Sequence, residues 1–136
     1  MNATNGISRA DLPDSYRHQE RQKSNLILEA NLLKQQGLYP QAAHKFAAAA
    51  EIEEELAAQL VQANHLDKAF FHHFSALSCW TQAGDLHRAL LLGEMLLQTN
   101  TLSVDQRDQV TYYLQTLQNR MTQWMSQWTA ALVAAD

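Results

Sequence analysis

Chain-breaking residues are scarce in this protein: four glycines and two prolines stand among 136 residues. Ala, Leu and Gln dominate what lies between them, so strong helix formers fill long stretches that little interrupts. The chain is thereby restricted to long helices, and the few breakers mark where those helices turn. Its length suits one ordinary domain, enough to bury a core without disulfides or a structural metal.

Residues 1–13 are polar, hold Gly6 and Pro13 and show no periodicity. They read as a disordered or loosely attached lead-in to a single helical domain over 14–136. Asp14 or Ser15 is the expected N-cap of a first helix that runs to about Gln36. That helix is mostly charged from Tyr16 to Lys23 and apolar along Leu26, Ile27, Ala30 and Leu33, so burial is expected only in its second half. Gly37 stops it, and Pro40 opens the next helix where its missing N–H costs nothing. The second helix, to about Asn64, carries Ala42, Phe46, Ala49, Ala50, Leu56, Leu60 and Val61 at helical spacing, one buried face.

Asn64-His65-Leu66-Asp67 breaks that pattern, and Asp67 is the expected cap of a third helix through Phe70, Phe74, Leu77 and Trp80. Ala83-Gly84-Asp85 ends it. Asp85 then caps a fourth helix, Leu86 to about Gln98, so nearly continuous in Leu and Met that burial on most sides is expected. Ser103 and Gln106 form a capping box ahead of the fifth and longest helix. There Val110, Leu114, Leu117, Met121, Trp124, Trp128 and Ala131 alternate steps of three and four, the seam a helix lays on a neighbour or into a coiled coil.

Charge and chemistry narrow the function. The formal net charge is −4 and the basic residues are scattered, which argues against nucleic acid as a partner. No segment reaches the ~18 uninterrupted apolar residues of a membrane span, and Met1 to Asp11 lack the pattern of a secretory signal. The single cysteine, Cys79, rules out an internal disulfide and reads as a packed small hydrophobe, so a cytoplasmic location is expected. His72-His73 point about 100° apart on a helix and cannot chelate one ion together, so these histidines read as solvated or hydrogen-bonded. Glu51, Glu54 and Glu55 share a helix face and read as solvated, with Glu53 the odd member. No phosphate loop, nucleophile elbow or zinc motif occurs, and no cofactor or metal is expected. An enzyme reading depends on His44, Glu51 and His87 converging in three dimensions.

One motif occurs twice. Gly37-Leu38-Tyr39-Pro40-Gln41-Ala42 and Gly84-Asp85-Leu86-His87-Arg88-Ala89 each follow a bulky residue, Leu33 or Trp80, and each supplies an alanine where two helices approach closely. With Leu26, Ala30 and Leu33 before the first turn and Ala42-x3-Phe46 after it, this unit resembles the tetratricopeptide repeat. The second unit keeps Trp80 and Ala89, with Leu77 at the family's small position and Gly93 where it has Phe. A Leu-rich helix, a Gly-x-Tyr turn and an Ala-rich helix are also similar to the three-helix microtubule-interacting-and-trafficking domain. The resemblance implies an all-α fold of antiparallel helical hairpins, about five helices, with the long fifth helix as a cap.

It also implies a non-enzymatic interaction module, an adaptor or scaffold, that holds a peptide or helix in a short groove lined by first helices. By position those residues are Ile27, Asn31, Lys34 and Gln35, with Phe71, Phe74, Ser78, Thr81 and Gln82. Phe71 and Phe74 would be apolar anchors, unless both are core, and Asn31, Lys34 and Gln35 polar selectors. The alternative is a self-assembly module, a homodimer through Met121, Trp124, Met125 and Trp128, if that stripe overhangs the bundle. A small helical-bundle enzyme or metal-binding protein is the third possibility.

Overall fold

A computed structural model of the chain describes residues 13–135, and within them the protein is all-α, with no strand. The five helices are α1 (Asp14–Gln35), α2 (Tyr39–Gln62), α3 (Leu66–Gln82), α4 (Leu86–Gln98) and α5 (Val104–Ala134). Apart from Pro13, the lead-in expected over residues 1–13 lies outside the described residues. The chain divides into two compact units, Met1–Leu92 and Gly93–Asp136, with the boundary inside α4.

In the first unit two small clusters fix the helix directions. Tyr16 at the start of α1 packs with Leu56 and Leu60 late in α2 and with Ala69 early in α3. At the other end Ala30 and Leu33 of α1 meet Ala42 and Phe46 of α2, joined by Ala83 just past α3. α1 and α3 are therefore each antiparallel to α2 and parallel to one another. Ala30, Ala49, Ala50, Ala57 and Ala76 are fully buried, so the helix backbones approach one another across methyl groups. The α3–α4 hairpin is tied by Arg88, whose guanidinium lies 4.3 Å from the Trp80 ring centroid.

The turns between helices share one construction. Gly37 and Gly84 have φ of +79° and +80°, and Asn64 has φ of +62°. After each, an N–H reaches back five residues: Leu38 to the Leu33 carbonyl at 2.9 Å, His65 to Leu60 at 2.8 Å and Asp85 to Trp80 at 3.0 Å. That is the left-handed C-terminal stop that satisfies orphan helix carbonyls. Five residues beyond each lies a buried alanine, Ala42, Ala69 or Ala89. The motif legible twice in the sequence thus occurs three times, with Asn64 in the glycine's role because its short side chain tolerates a positive φ.

Several local expectations are corrected. Pro13, not Asp14 or Ser15, occupies the N-cap of α1, without a side-chain cap bond. Tyr16 is 1% exposed, so the charged opening of α1 is anchored in the core. His65, not Asp67, sits at the N-cap of α3, because the preceding turn already brings the backbone into register. Val61 stands 46% exposed near the end of α2, and Leu91 and Met95 are exposed on α4, which is amphipathic rather than buried on most sides.

In the second unit, α5 opens with the expected capping box: Ser103 accepts from the Gln106 N–H and the Gln106 side chain accepts from the Ser103 N–H. Arg107 donates to the carbonyls of Leu97 at 2.6 Å and Thr99 at 2.8 Å, closing the end of α4. A Cβ placed on Gly93 would overlap the Leu114 side chain, so α4 lacks a side chain where α5 inserts one. Val110, Leu114 and Leu117 are buried along this stretch.

Candidate interaction surfaces

The first surface lies along the border of α1 and α3, above a buried polar cluster from all three helices of the hairpin pair. Glu53 of α2 is 1% exposed, and its Oε1 lies 2.7 Å from His72 Nδ1. His72 Nε2 in turn lies 2.9 Å from the Tyr16 hydroxyl. An ionised carboxylate can only accept, so Nδ1 carries its proton toward Glu53, while the Tyr16 hydroxyl meets Nε2 and has a further hydrogen bond to Glu20. Lys23 Nζ stands 3.6 Å from the other carboxylate oxygen, and Ser75 donates a further hydrogen bond.

Each group is tuned by this enclosure. Burial alone would raise the Glu53 carboxyl, but the hydrogen bonds from His72 and Ser75 and the Lys23 charge outweigh it and hold the group below its ordinary value. Tyr16 is pushed up to about 12, first by burial and then by the charges of Glu20 and Glu53. Burial likewise pushes the Cys79 thiol up to about 11, which makes it unreactive. His73 is held below its ordinary value by burial, and its Nδ1 has no partner in the structure. The arrangement orders three helices relative to one another. Tyr16, His72 and Glu53 are all buried, and the half-buried Lys23 lies at the edge of the cluster.

Sequence reasoning missed this cluster. Glu53 was legible as off the Glu51, Glu54 and Glu55 face, but not as part of the core. The available signal was its register: Glu53 falls on the Phe46, Ala49, Leu56, Leu60 stripe, so a charge stood inside an apolar face and required partners. Two of the other glutamates have bonds of their own, Glu54 accepting from Trp80 Nε1 at 2.6 Å and Glu55 from Gln19 at 2.7 Å, while Glu51 is exposed.

The residues expected to line a groove fall into two groups. Ile27, Asn31 and Lys34 share one stripe of α1, while Phe71, Ser78 and Gln82 share one of α3. The two stripes meet where Lys34 Nζ donates to Gln82 Oε1 at 3.0 Å. Asn31, Gln35 and Ser78 are exposed, and Phe71 is 71% exposed. Phe74 and Thr81 lie one step around α3: Phe74 is half-buried with its ring 5.7 Å from that of Phe70, and the Thr81 hydroxyl donates to the Leu77 carbonyl.

The second surface is the end of α5. From Gln118 to Ala135 every residue is exposed except Met121, which is half-buried. Trp124 and Trp128 are 62% and 57% exposed and stack on each other, centroids 6.0 Å apart and planes 10° from parallel. Met125 and Leu132 lie beside them, 59% and 57% exposed.

No triad of metal-ligating side chains occurs among the described residues, and no helix is long and apolar enough to cross a membrane. His44, Glu51 and His87 are all exposed, and no hydrogen bond or ion pair joins them among the described residues. Comparison with protein-family models, with curated proteins and with solved structures finds no match to this chain.

Proposed function

We propose that this chain is a non-enzymatic protein–protein interaction module of tetratricopeptide-like build that holds a peptide or helix across the α1–α3 border. The observation that carries this reading is Phe71, a large apolar side chain 71% exposed on the stripe that Gln82 ties to Lys34. An aromatic anchor flanked by Asn31, Lys34, Gln35, Ser78 and Gln82 offers the mixture of apolar area and hydrogen-bonding groups that peptide recognition uses. Beneath it the Glu53–His72–Tyr16 cluster keeps α1 and α3 in fixed register, so the surface is pre-organised. A cytoplasmic location suits the one buried cysteine.

The test begins with a peptide selected against the folded protein from a random library. Phe71→Ala should weaken its binding by about 2 kcal/mol with unchanged helicity. Equal affinity in the folded variant would remove the α1–α3 border from consideration.

A second reading, self-assembly through α5, is favoured by a separate observation, the exposed stacked pair Trp124 and Trp128. Solvent-exposed indoles on one helix face are what an oligomer seam looks like in the isolated chain. Light scattering across a concentration series distinguishes this reading from a monomeric adaptor.

A further inference from the structure

Resting on the self-assembly reading, we infer that the end of α5 pairs with the same segment of a second copy, antiparallel, about a two-fold axis beside Ser126. The exposed stripe is not a separate feature. It continues the seam that begins at Val110, Leu114 and Leu117, where Leu114 fills the space left by Gly93. The steps of three and four run on unbroken through Met121, Trp124, Trp128 and Ala131. A seam already packed as knob into hole over its first half is presented bare over its second.

Charge argues for a second copy as the occupant. Between Met121 and Ala135 there is no charged residue. A basic or acidic partner would find nothing to recognise, while two identical neutral segments meet no repulsion. Of the two charges that flank this stretch in the sequence, Arg120 and Asp136, the arginine favours antiparallel pairing. In that arrangement the two arginines lie about 18 Å apart along the axis, beyond a Debye length, whereas parallel chains would set them side by side.

Shape argues for the same orientation. In antiparallel pairs the two kinds of seam position face each other, so a two-fold beside Ser126 sets Trp124 against Trp128 of the second copy and Met121 against its Ala131. Each bulky methionine then meets a small alanine, and four indoles form one central cluster. Parallel pairing would instead put Met121 on Met121 and leave Ala131 facing Ala131, a crowded layer beside an empty one. The pairing would bury about 1,000 Å² over both copies, the lower bound of a specific interface. An interface at that limit is a weak one, so association is expected over the micromolar range rather than below it.

Sedimentation equilibrium of the full chain tests this, with circular dichroism to confirm folding. The wild type should pass from monomer to dimer over the micromolar range, and Trp128→Glu should weaken association by about 30-fold or more. Ala131→Met should weaken it without adding charge, and the exchange Met121→Ala with Ala131→Met should restore it. In a Cys79→Ala background, a mixture of Met121→Cys and Ala131→Cys chains treated with a short bis-maleimide should give mixed 121–131 links. Links of 121 to 121 would mean parallel pairing and overturn the inference. A dimer indifferent to Trp128→Glu would also overturn it, while leaving self-assembly through another face standing. A monomer at every concentration would end both readings. So would a monomer that binds neutral phosphatidylcholine vesicles through its tryptophans, the behaviour of an interfacial helix.

Discussion

Taking a carboxylate out of water is tolerated only where its charge and lone pairs are matched, and Glu53 is matched on every side: by His72, Ser75 and Lys23. Glu53→Ala would leave an imidazole and an ammonium facing a void, so we expect a loss of about 3 kcal/mol in chemical denaturation. Glu53→Gln retains an acceptor for His72 and should cost less. The wild type also has a signed pH dependence. The folded carboxyl is held below its ordinary 4.5, so the native state binds fewer protons than the unfolded chain as acid is added. Its contribution is complete above about pH 4.5 and is lost as pH falls through the lower folded value. Denaturation midpoints between pH 6 and 3 should therefore fall less steeply for Glu53→Gln than for the wild type. Equal slopes would place the acid sensitivity in other carboxylates.

Among the elements, turns and helix register were the legible part. The ends of α1, α2 and α3 and the starts of α2, α4 and α5 follow from Gly37, Asn64, Gly84, Pro40, Asp85 and Ser103, because capping and left-handed stops are local chemistry. What stayed hidden is long-range. Tyr16 looked like part of a wet, charged turn, since its partners Leu56, Leu60 and Ala69 are decades of residues away. Glu53 looked like the odd acid of a solvated run, since a core charge is recognised only with its partners in view. Phe74 falls on the apolar stripe with Phe70 and Leu77 and is half-buried against Phe70, whereas Phe71 lies off that stripe and is exposed, a difference the groove assignment by resemblance passed over.

The shared turn makes the first element-scale prediction. No atom lies within 4 Å of a Cβ placed on Gly37 or Gly84, so alanine there meets conformational strain alone. Each Gly→Ala change should cost about 1 kcal/mol in thermal or urea denaturation. Asn64→Gly, relieving a positive φ, should be neutral within a few tenths of a kcal/mol, because easier geometry is offset by greater freedom of the unfolded chain. Gly93 is different in kind. Its missing side chain is the space Leu114 occupies, so Gly93→Leu should cost about 3 kcal/mol through overpacking, and Leu114→Ala should recover part of it.

For the whole molecule, the question is what the last turns of α5 contribute. They bury almost nothing within one chain: among the described residues beyond Leu117 only Met121 is even half-buried. A helix of that length with no packed face is marginal in water, and it gains stability only when its apolar stripe is covered. Two consequences separate. A chain ending at Arg120 should melt, when dilute, within a few degrees of the full chain, because little core is removed. The full chain should melt at a temperature that rises with protein concentration, because association stabilises only the folded form. The shortened chain should lose that dependence and, by circular dichroism, more helix per residue removed at high concentration than at low, since concentration is what completes the end of α5. If instead the shortened chain melts far lower even when dilute, residues 121–135 belong to the fold of the monomer, and their exposed tryptophans need another explanation than a partner.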